Sequence, residues 1–250
     1  MADDSQVPGQ AARVSPEVAS LRQLLRESDR IVVFTGAGIS TESGIPDFRG
    51  PKGIWKSMTP IDFSDFVASE DARRESWSRK FSGEDLIAQA EPNAGHRAVT
   101  SLVKAGKVSY VITQNVDGLH QRSGTPDDQV IELHGNASYA KCLDCGKRFE
   151  LAPIKQVFLA SGTLPSCDAC QGLVKTATIS FGQAMPVAEM TLAETASGNC
   201  DLFLAIGSSL TVYPAAGLPA LAKRQGAKLV ILNAQPTDLD PVCDLVIQQQ

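Results

Sequence analysis

The sequence is short of the features that would send it to a membrane, to nucleic acid or through a secretory route. Its longest apolar runs, such as Leu202 to Ile206, fall far below the ~20 residues needed to cross a bilayer. No block of lysines and arginines occurs and the net charge is −5, so a sequence-independent grip on a phosphate backbone is not expected. The first residues, MADDSQVPGQAARVSPEV, are polar and acidic where a signal peptide needs an apolar centre. Residues 1–15 therefore read as a flexible tail, and a cytoplasmic location is expected. Histidine is scarce, three in 250 residues, which leaves few candidates for a base that works at neutral pH. There is no Ser-His-Asp order, no nucleophile elbow and no metal-ligand histidine pair, so hydrolase and histidine-metal chemistry have little to stand on.

What remains is an α/β pattern. With 43% hydrophobic residues the chain can bury a sizeable core. Residues 16–27 carry Val18, Leu21, Leu24 and Leu25 on one helical face. Short apolar runs at 31–34, 108–113, 130–133, 202–206 and 228–232 read as buried strands, and 94–105, 188–197 and 215–225 as helices. That alternation belongs to parallel β-α units, which bind ligands outside the carboxyl ends of their strands. Gly36, Gln114, His134, Gly207-Ser208 and Asn233 all follow strands there. Residues 51–87 scatter Trp55, Phe63, Phe66, Trp77 and Phe81 among charges and read as a small helical insertion.

The first strand runs into Gly36-Ala37-Gly38, a turn whose missing Cβ atoms let backbone N–H groups approach a pyrophosphate. The usual dinucleotide fingerprint is broken twice. Thr41 stands where a third glycine belongs, and no strand ending in an acidic residue follows about 20 residues later. Instead a second turn, Gly44-Ile45-Pro46, carries Asp47, Phe48 and Arg49. A loop loaded with a charge pair and an aromatic points to a nucleotide that reacts, as opposed to one that ferries hydride.

The six cysteines include Cys142-x-x-Cys145 and Cys167-x-x-Cys170, separated by 21 residues. Two such knuckles fit one tetrahedral zinc held by four thiolates, with no open position for water and hence a structural role. Core cysteines or a redox pair are the alternative. Cys200 and Cys243 stand apart, and Cys200 reads as a core residue.

His134 lies at a strand end beside Gly135, which keeps one side open, and is the candidate general base; a structural hydrogen bond is the alternative. His96, after Pro92-Asn93, and His120 read as structural. Gln114 and Asn115 offer amides to hydroxyls, and Asp117 a carboxylate to an amide. The same cluster also suits a capped helix start, and both roles can hold at once.

Taken together, these residues resemble the sirtuins, the NAD-dependent protein-lysine deacylases. The matching pieces are Gly36-Ala37-Gly38-Ile39-Ser40, Gly44 to Gly50, Thr113 to Asp117, His134-Gly135, the two cysteine pairs, Gly207-Ser208-Ser209-Leu210 and Asn233, in the family's order over nearly the whole chain. The resemblance implies a Rossmann-like parallel sheet built from 16–50, 88–136 and 176–250. It also implies a small domain made of the helical insertion 51–87 and a zinc-binding module at 137–175. NAD and acyl-lysine would meet in the cleft between them. The chain itself is expected to be a monomer.

The resemblance also implies roles. Gly36, Ala37, Gly38 and Ser40 would contact the pyrophosphate, and Asp47, Phe48 and Arg49 would close over the nicotinamide ribose. Gln114 and Asn115 would orient that ribose, making Asn115 catalytic beside His134, and Asp117 would hold the carboxamide. Gly207, Ser208, Ser209 and Asn233, with backbone near Cys243, would hold the adenosine half. Ile179, Phe181 and Gly182 would line the acyl-lysine tunnel and pair with the peptide as an added strand. The acyl oxygen would attack the ribose carbon that bears nicotinamide, and His134 would then take a proton from a ribose hydroxyl. Free lysine, nicotinamide and O-acyl-ADP-ribose would result.

Three departures stand out. Lys175 to Gln183 reads KTATISFGQ where relatives often have Lys-Pro-x-Val-Val-x-Phe-Gly-Glu, Ser208-Ser209 has serine in place of a threonine, and the chain stops at Gln250 where relatives continue into a last helix. That ending reads either as a shortened chain or as a missing helix. No tyrosine lies within 51–87, so the Tyr-x-x-Arg pair of relatives that remove acidic acyl groups is missing. Acetyl or longer apolar groups are therefore expected over succinyl. An enzyme that transfers ADP-ribose to protein, or a binding module for NAD or ADP-ribose, are the alternatives.

Overall fold

The computed structural model describes residues 15–48, 50, 53–56 and 58–249, so the expected N-terminal tail and Arg49 lie outside the described residues but for Ser15. Helix α1 (Pro16–Glu27) starts where Ser15 accepts from the Val18 N–H at 3.3 Å and Pro16 presets the first turn. Strand β1 (Ile31–Thr35) follows, completely buried. Helices α2 (Phe63–Ala68) and α3 (Glu70–Gln89) form the insertion. Helix α4 (Ala94–Lys104) leads into β2 (Val108–Thr113), the short α5 (Leu119–Arg122) and β3 (Val130–Glu132).

Three antiparallel strands, β4 (Gly135–Cys142), β5 (Arg148–Glu150) and β6 (Val174–Thr178), flank α6 (Leu151–Ser161). Helix α7 (Val187–Asn199), β7 (Leu202–Ile206), α8 (Gly217–Arg224), β8 (Lys228–Leu232) and β9 (Leu245–Ile247) complete the chain. The insertion helix runs on to Gln89, and β4 and β6 reach to Gly135 and Thr178. The small subdomain thus extends slightly past the limits expected from sequence.

The large sheet is parallel throughout, in the order β3-β2-β1-β7-β8-β9. Its two faces are filled by the two-residue alternation of the strands. Val32, Phe34, Phe203 and Ile231 pack on one side with Ala193 of α7 and Leu218 of α8. Ile31, Val33, Leu204 and Val230 pack on the other with Leu21 of α1 and Val99 of α4. Because both faces are covered, the central strands read as continuous apolar runs and not as alternating ones. Strand β9 offers an apolar run of only three residues and lies at an edge, which is why the pattern of the sequence passes over it. A third core joins Trp77 and Phe81 of α3 to Leu151, Phe158, Cys142 and Val174. Two of the insertion's scattered aromatics thus serve as the floor of the small sheet.

Strand order reverses between β1 and β7, and at such a switch point the following loops part to leave a crevice. Among the described residues no helix is long and apolar enough to cross a membrane.

Candidate active site

The crevice is held open at its base by glycine. Gly36 N–H donates to Ile206 O at 3.1 Å and Gly38 N–H to Gly207 O at 2.8 Å, so the turns after β1 and β7 touch backbone to backbone. A Cβ on Gly38 would lie 2.7 Å from Gly207 Cα, and one on Gly207, whose φ is +63°, would collide with the amide of Ile39. Residues Ala37–Ser43 then coil as a 3-10 helix that ends at Gly44, φ +85°. Asp47 closes the next turn by accepting from the Gly50 N–H at 2.9 Å.

Above this base lies a cleft of about 1240 Å³. Gly36, Ala37, Gly38, Asp47, Phe48, Gln114, Asn115, Gly207, Ser208, Ser209 and Asn233 line it, as do His134, Ile179, Phe181 and Gly182. Residues from the ends of five strands and from the segment after β6 are thereby gathered in one place. Gln114 Nε2 donates to Ser208 Oγ at 2.8 Å and ties the end of β2 to that of β7. Asn115 Nδ2 donates to Gly36 O at 3.1 Å and Ser40 Oγ at 3.2 Å, so this side chain braces the glycine turn.

Three expected residues do not line the cleft. Ser40 is 1% exposed and its hydroxyl donates to Asp117 Oδ2 at 2.7 Å. Asp117 Oδ1 accepts from the Leu119 N–H at 2.9 Å, the helix-start role weighed above. The pair satisfies itself behind the wall, because a carboxylate in a protein interior needs donors at once. Cys243 packs against the core, its Sγ donating to Asp240 O at 3.2 Å. Arg49 lies outside the described residues.

His134 is half-buried, with Nδ1 3.0 Å from Gln114 O. A carbonyl accepts, so Nδ1 carries the proton and Nε2 is the ring's basic nitrogen. The carbonyl of His134 accepts from the Ile179 N–H at 2.8 Å, and Phe63 N–H of the insertion donates to Phe181 O at 2.9 Å. Glu132, two residues before His134, accepts from Gln121 Nε2 and Asn136 Nδ2, each at 2.8 Å, and burial raises its pKa.

Some contributors escaped the sequence pattern. Asn93, legible only as a helix cap, lines the cleft and donates through Nδ2 to Ile39 O at 2.6 Å and Ser43 Oγ at 3.0 Å. Ile247 and Gln249 reach the cleft from β9, beside Val18 and Leu21 of α1.

The four paired cysteines converge, their sulfurs all within 4.8 Å of one another. Cys142 and Cys170 lie 3.5 Å apart and Cys145 and Cys167 3.6 Å apart. Four thiolates around one tetrahedral ion at ~2.3 Å would sit about 3.8 Å apart, so the donor set suits zinc. Cys200 is buried in the main core.

Comparison with known proteins matches residues 36–214 to the Sir2 family. An NAD-dependent protein deacetylase of Rhodopseudomonas palustris is 55% identical over 238 residues, which cover 95% of this chain and 94% of that protein. A solved complex described as Sir2-p53 peptide-NAD+ matches with TM-score 0.83 and 38% identity over 92% of each chain. A Sir2 variant with a deacetylated p53 peptide and 3'-O-acetyl ADP ribose matches with TM-score 0.84 and 37% identity over 93% of each chain.

Proposed function

The chain belongs to the Sir2 family, and from that premise we propose that it is an NAD-dependent protein-lysine deacylase that transfers the acyl group to ADP-ribose. The observation that carries this reading is the meeting, in one cleft, of a glycine turn that accepts only backbone, a histidine of fixed tautomer and the segment Ile179 to Gly182. Bound NAD supplies an electrophilic ribose carbon from which nicotinamide can leave, so the products are nicotinamide, O-acyl-ADP-ribose and free lysine, one water being consumed after nicotinamide has left, when the lysine amine is released.

The rest is done by the chain itself. Ala37 presents its N–H to the pyrophosphate, which Gly36 and Gly38, their own N–H groups committed to Ile206 O and Gly207 O, let come close by lacking side chains, and Gly207, Ser208, Ser209 and Asn233 hold the adenosine half. Gln114 and Asn115 orient the nicotinamide ribose, while Asp117, locked by Ser40 in this arrangement, would turn to the carboxamide by giving up that bond. His134 Nε2 takes a proton from a ribose hydroxyl, with Nδ1–H anchored on Gln114 O. Phe48, with Arg49 beside it in the chain, would exclude water, which competes with the acyl oxygen as nucleophile. Ile179, Phe181 and Gly182 receive the acyl-lysine, and the edge of that segment takes the peptide as a strand.

The four-cysteine cluster holds one structural zinc, with no step in the reaction. Thiols gathered for a metal in place of disulfides suit a reducing compartment such as the cytoplasm. The test is mass spectrometry of an acetyl-lysine peptide with NAD. Loss of the acetyl group, matched by nicotinamide release, supports the reading; addition of ADP-ribose to protein would replace it with a transferase, and neither event would leave a nucleotide-binding module.

A further inference from the structure

Two of the three histidines lie outside the cleft and pair with each other. His96 is 0% exposed and His120 1%, their ring centroids 5.0 Å apart in an edge-to-face arrangement. Nε2 of His96 and Nδ1 of His120 are buried without a hydrogen-bond partner. A buried polar atom left unpaired costs ~1–3 kcal/mol, so such an arrangement needs a reason.

Hydrogen-bond direction supplies one. The Asn93 backbone N–H lies 3.3 Å from His96 Nδ1 and can only donate, so the proton of the neutral ring sits on Nε2. On the other side, the Asn115 N–H donates to Thr113 Oγ1 at 3.1 Å, and Thr35 Oγ1 donates to the same oxygen at 2.9 Å. Thr35 Oγ1 is then left to accept from His120 Nε2, also at 2.9 Å. With its proton on Nε2, His120 presents Nδ1 as an acceptor. The two orphaned atoms are complementary, one donor and one acceptor on neighbouring rings. Burial, the main cause, lowers the pKa of both rings, that of His120 to about 3, where the neighbouring His96 adds to the effect. Asp117 and Arg97 act on His96 in opposite senses.

Both ends of the thread are fixed to the site. Asn93 grips Ile39 O and Ser43 Oγ in the turn after β1, and Asn115 Nδ2 holds Gly36 O from the loop after β2. We propose that His96 and His120 form a neutral positioning pair, His96 Nε2–H directed at His120 Nδ1, that locks the glycine turn to the loop 114–117. The pair thereby fixes the spacing between the pyrophosphate contacts and the nicotinamide-ribose contacts. The identity of the ligand rests on the deacylase reading; the two sets of hydrogen bonds, which meet at the edge-to-face contact of the rings, do not.

Thr35→Val cuts the thread at nearly constant volume and Thr35→Ser keeps the hydroxyl. Thr35→Val, and His120→Phe if it folds, should lower kcat/KM for NAD roughly tenfold or more while the KM for an acetyl-peptide stays within about twofold. Thr35→Ser should recover most of the loss. Equal kinetics for Thr35→Val and wild type, or a parallel rise in peptide KM, would overturn the proposal. Nitrogen NMR of the wild-type rings gives a readout independent of activity. Both should remain neutral with Nε2–H from about pH 5.5 to about pH 8, where an ordinary histidine titrates. Titration of either ring there, or Nδ1–H on His96, would sink the pair. A wild-type protein that consumes no NAD would instead remove the deacylase reading and leave the NMR result standing.

Discussion

Nδ1 of His134 lies 3.0 Å from the backbone carbonyl of Gln114, while the carbonyl of His134 accepts from Ile179 N–H at 2.8 Å. One residue thus joins the loop after β2 to the segment after β6. The ring's tautomer and the position of the segment are set by the same stretch of backbone.

His134→Ala should lower the rate of deacylation by about 10²–10⁴-fold, the usual contribution of a general base. NAD binding, measured by calorimetry, should change little, because the glycine turn is untouched. A variant that deacylates at the wild-type rate would move the base elsewhere.

Gly207→Ala places a methyl group at φ +63° against the amide of Ile39 and pushes apart the two turns that cradle the ligand. Strain of this kind costs on the order of 1–3 kcal/mol. The expected result is a KM for NAD raised about tenfold or more, with a lower melting temperature. Unchanged affinity would show that the turns tolerate separation.

Acid should weaken the fold through His120. The folded ring stays neutral down to about 3, whereas in the unfolded chain it binds a proton below the ordinary histidine value of about 6.5. Between those values the unfolded state holds more protons, so stability is fully present above the upper value and lost as pH falls. Each unit of separation is worth about 1.4 kcal/mol, so the loss amounts to several kcal/mol across the window. Urea denaturation at pH values inside and above it provides the check. The deficit of His120→Gln relative to wild type should shrink as pH falls; a constant deficit would contradict the assignment.

Zinc removal should unfold the small sheet and spare the large one. Structural zinc contributes on the order of 10 kcal/mol to such modules. Metal analysis should find one zinc per wild-type chain and none in Cys145→Ser, and limited proteolysis should open the variant between 142 and 170. Equal protease resistance would mean that the core of Trp77, Phe81, Leu151 and Phe158 suffices alone.

Acyl preference follows from the lining. Val116, Ile179 and Phe181 are apolar, and the insertion holds no tyrosine to meet an acid. Acetyl- and propionyl-lysine peptides should therefore exceed succinyl-lysine by about tenfold or more in kcat/KM, since an unpaired buried carboxylate is costly. A preference for succinyl would reveal a cationic partner in the tunnel.

By itself the sequence determined the central strands, the glycine turn, the two cysteine knuckles and the histidine at a strand end, His134. Each depends on residues close together in the chain: apolar runs, missing Cβ atoms, C-x-x-C spacing. Only the tertiary structure decided the rest. It turned Ser40 and Asp117 toward each other and away from the cleft, because a half-buried carboxylate takes the donors packed beside it. It added β9 at the sheet edge, where pairing with β8 supplies what a short, unpatterned run lacks. It also brought His96 against His120, a contact that depends on how α4 and α5 pack and on no local pattern. Local chemistry names the parts of this site, and long-range packing sets the direction in which each one points.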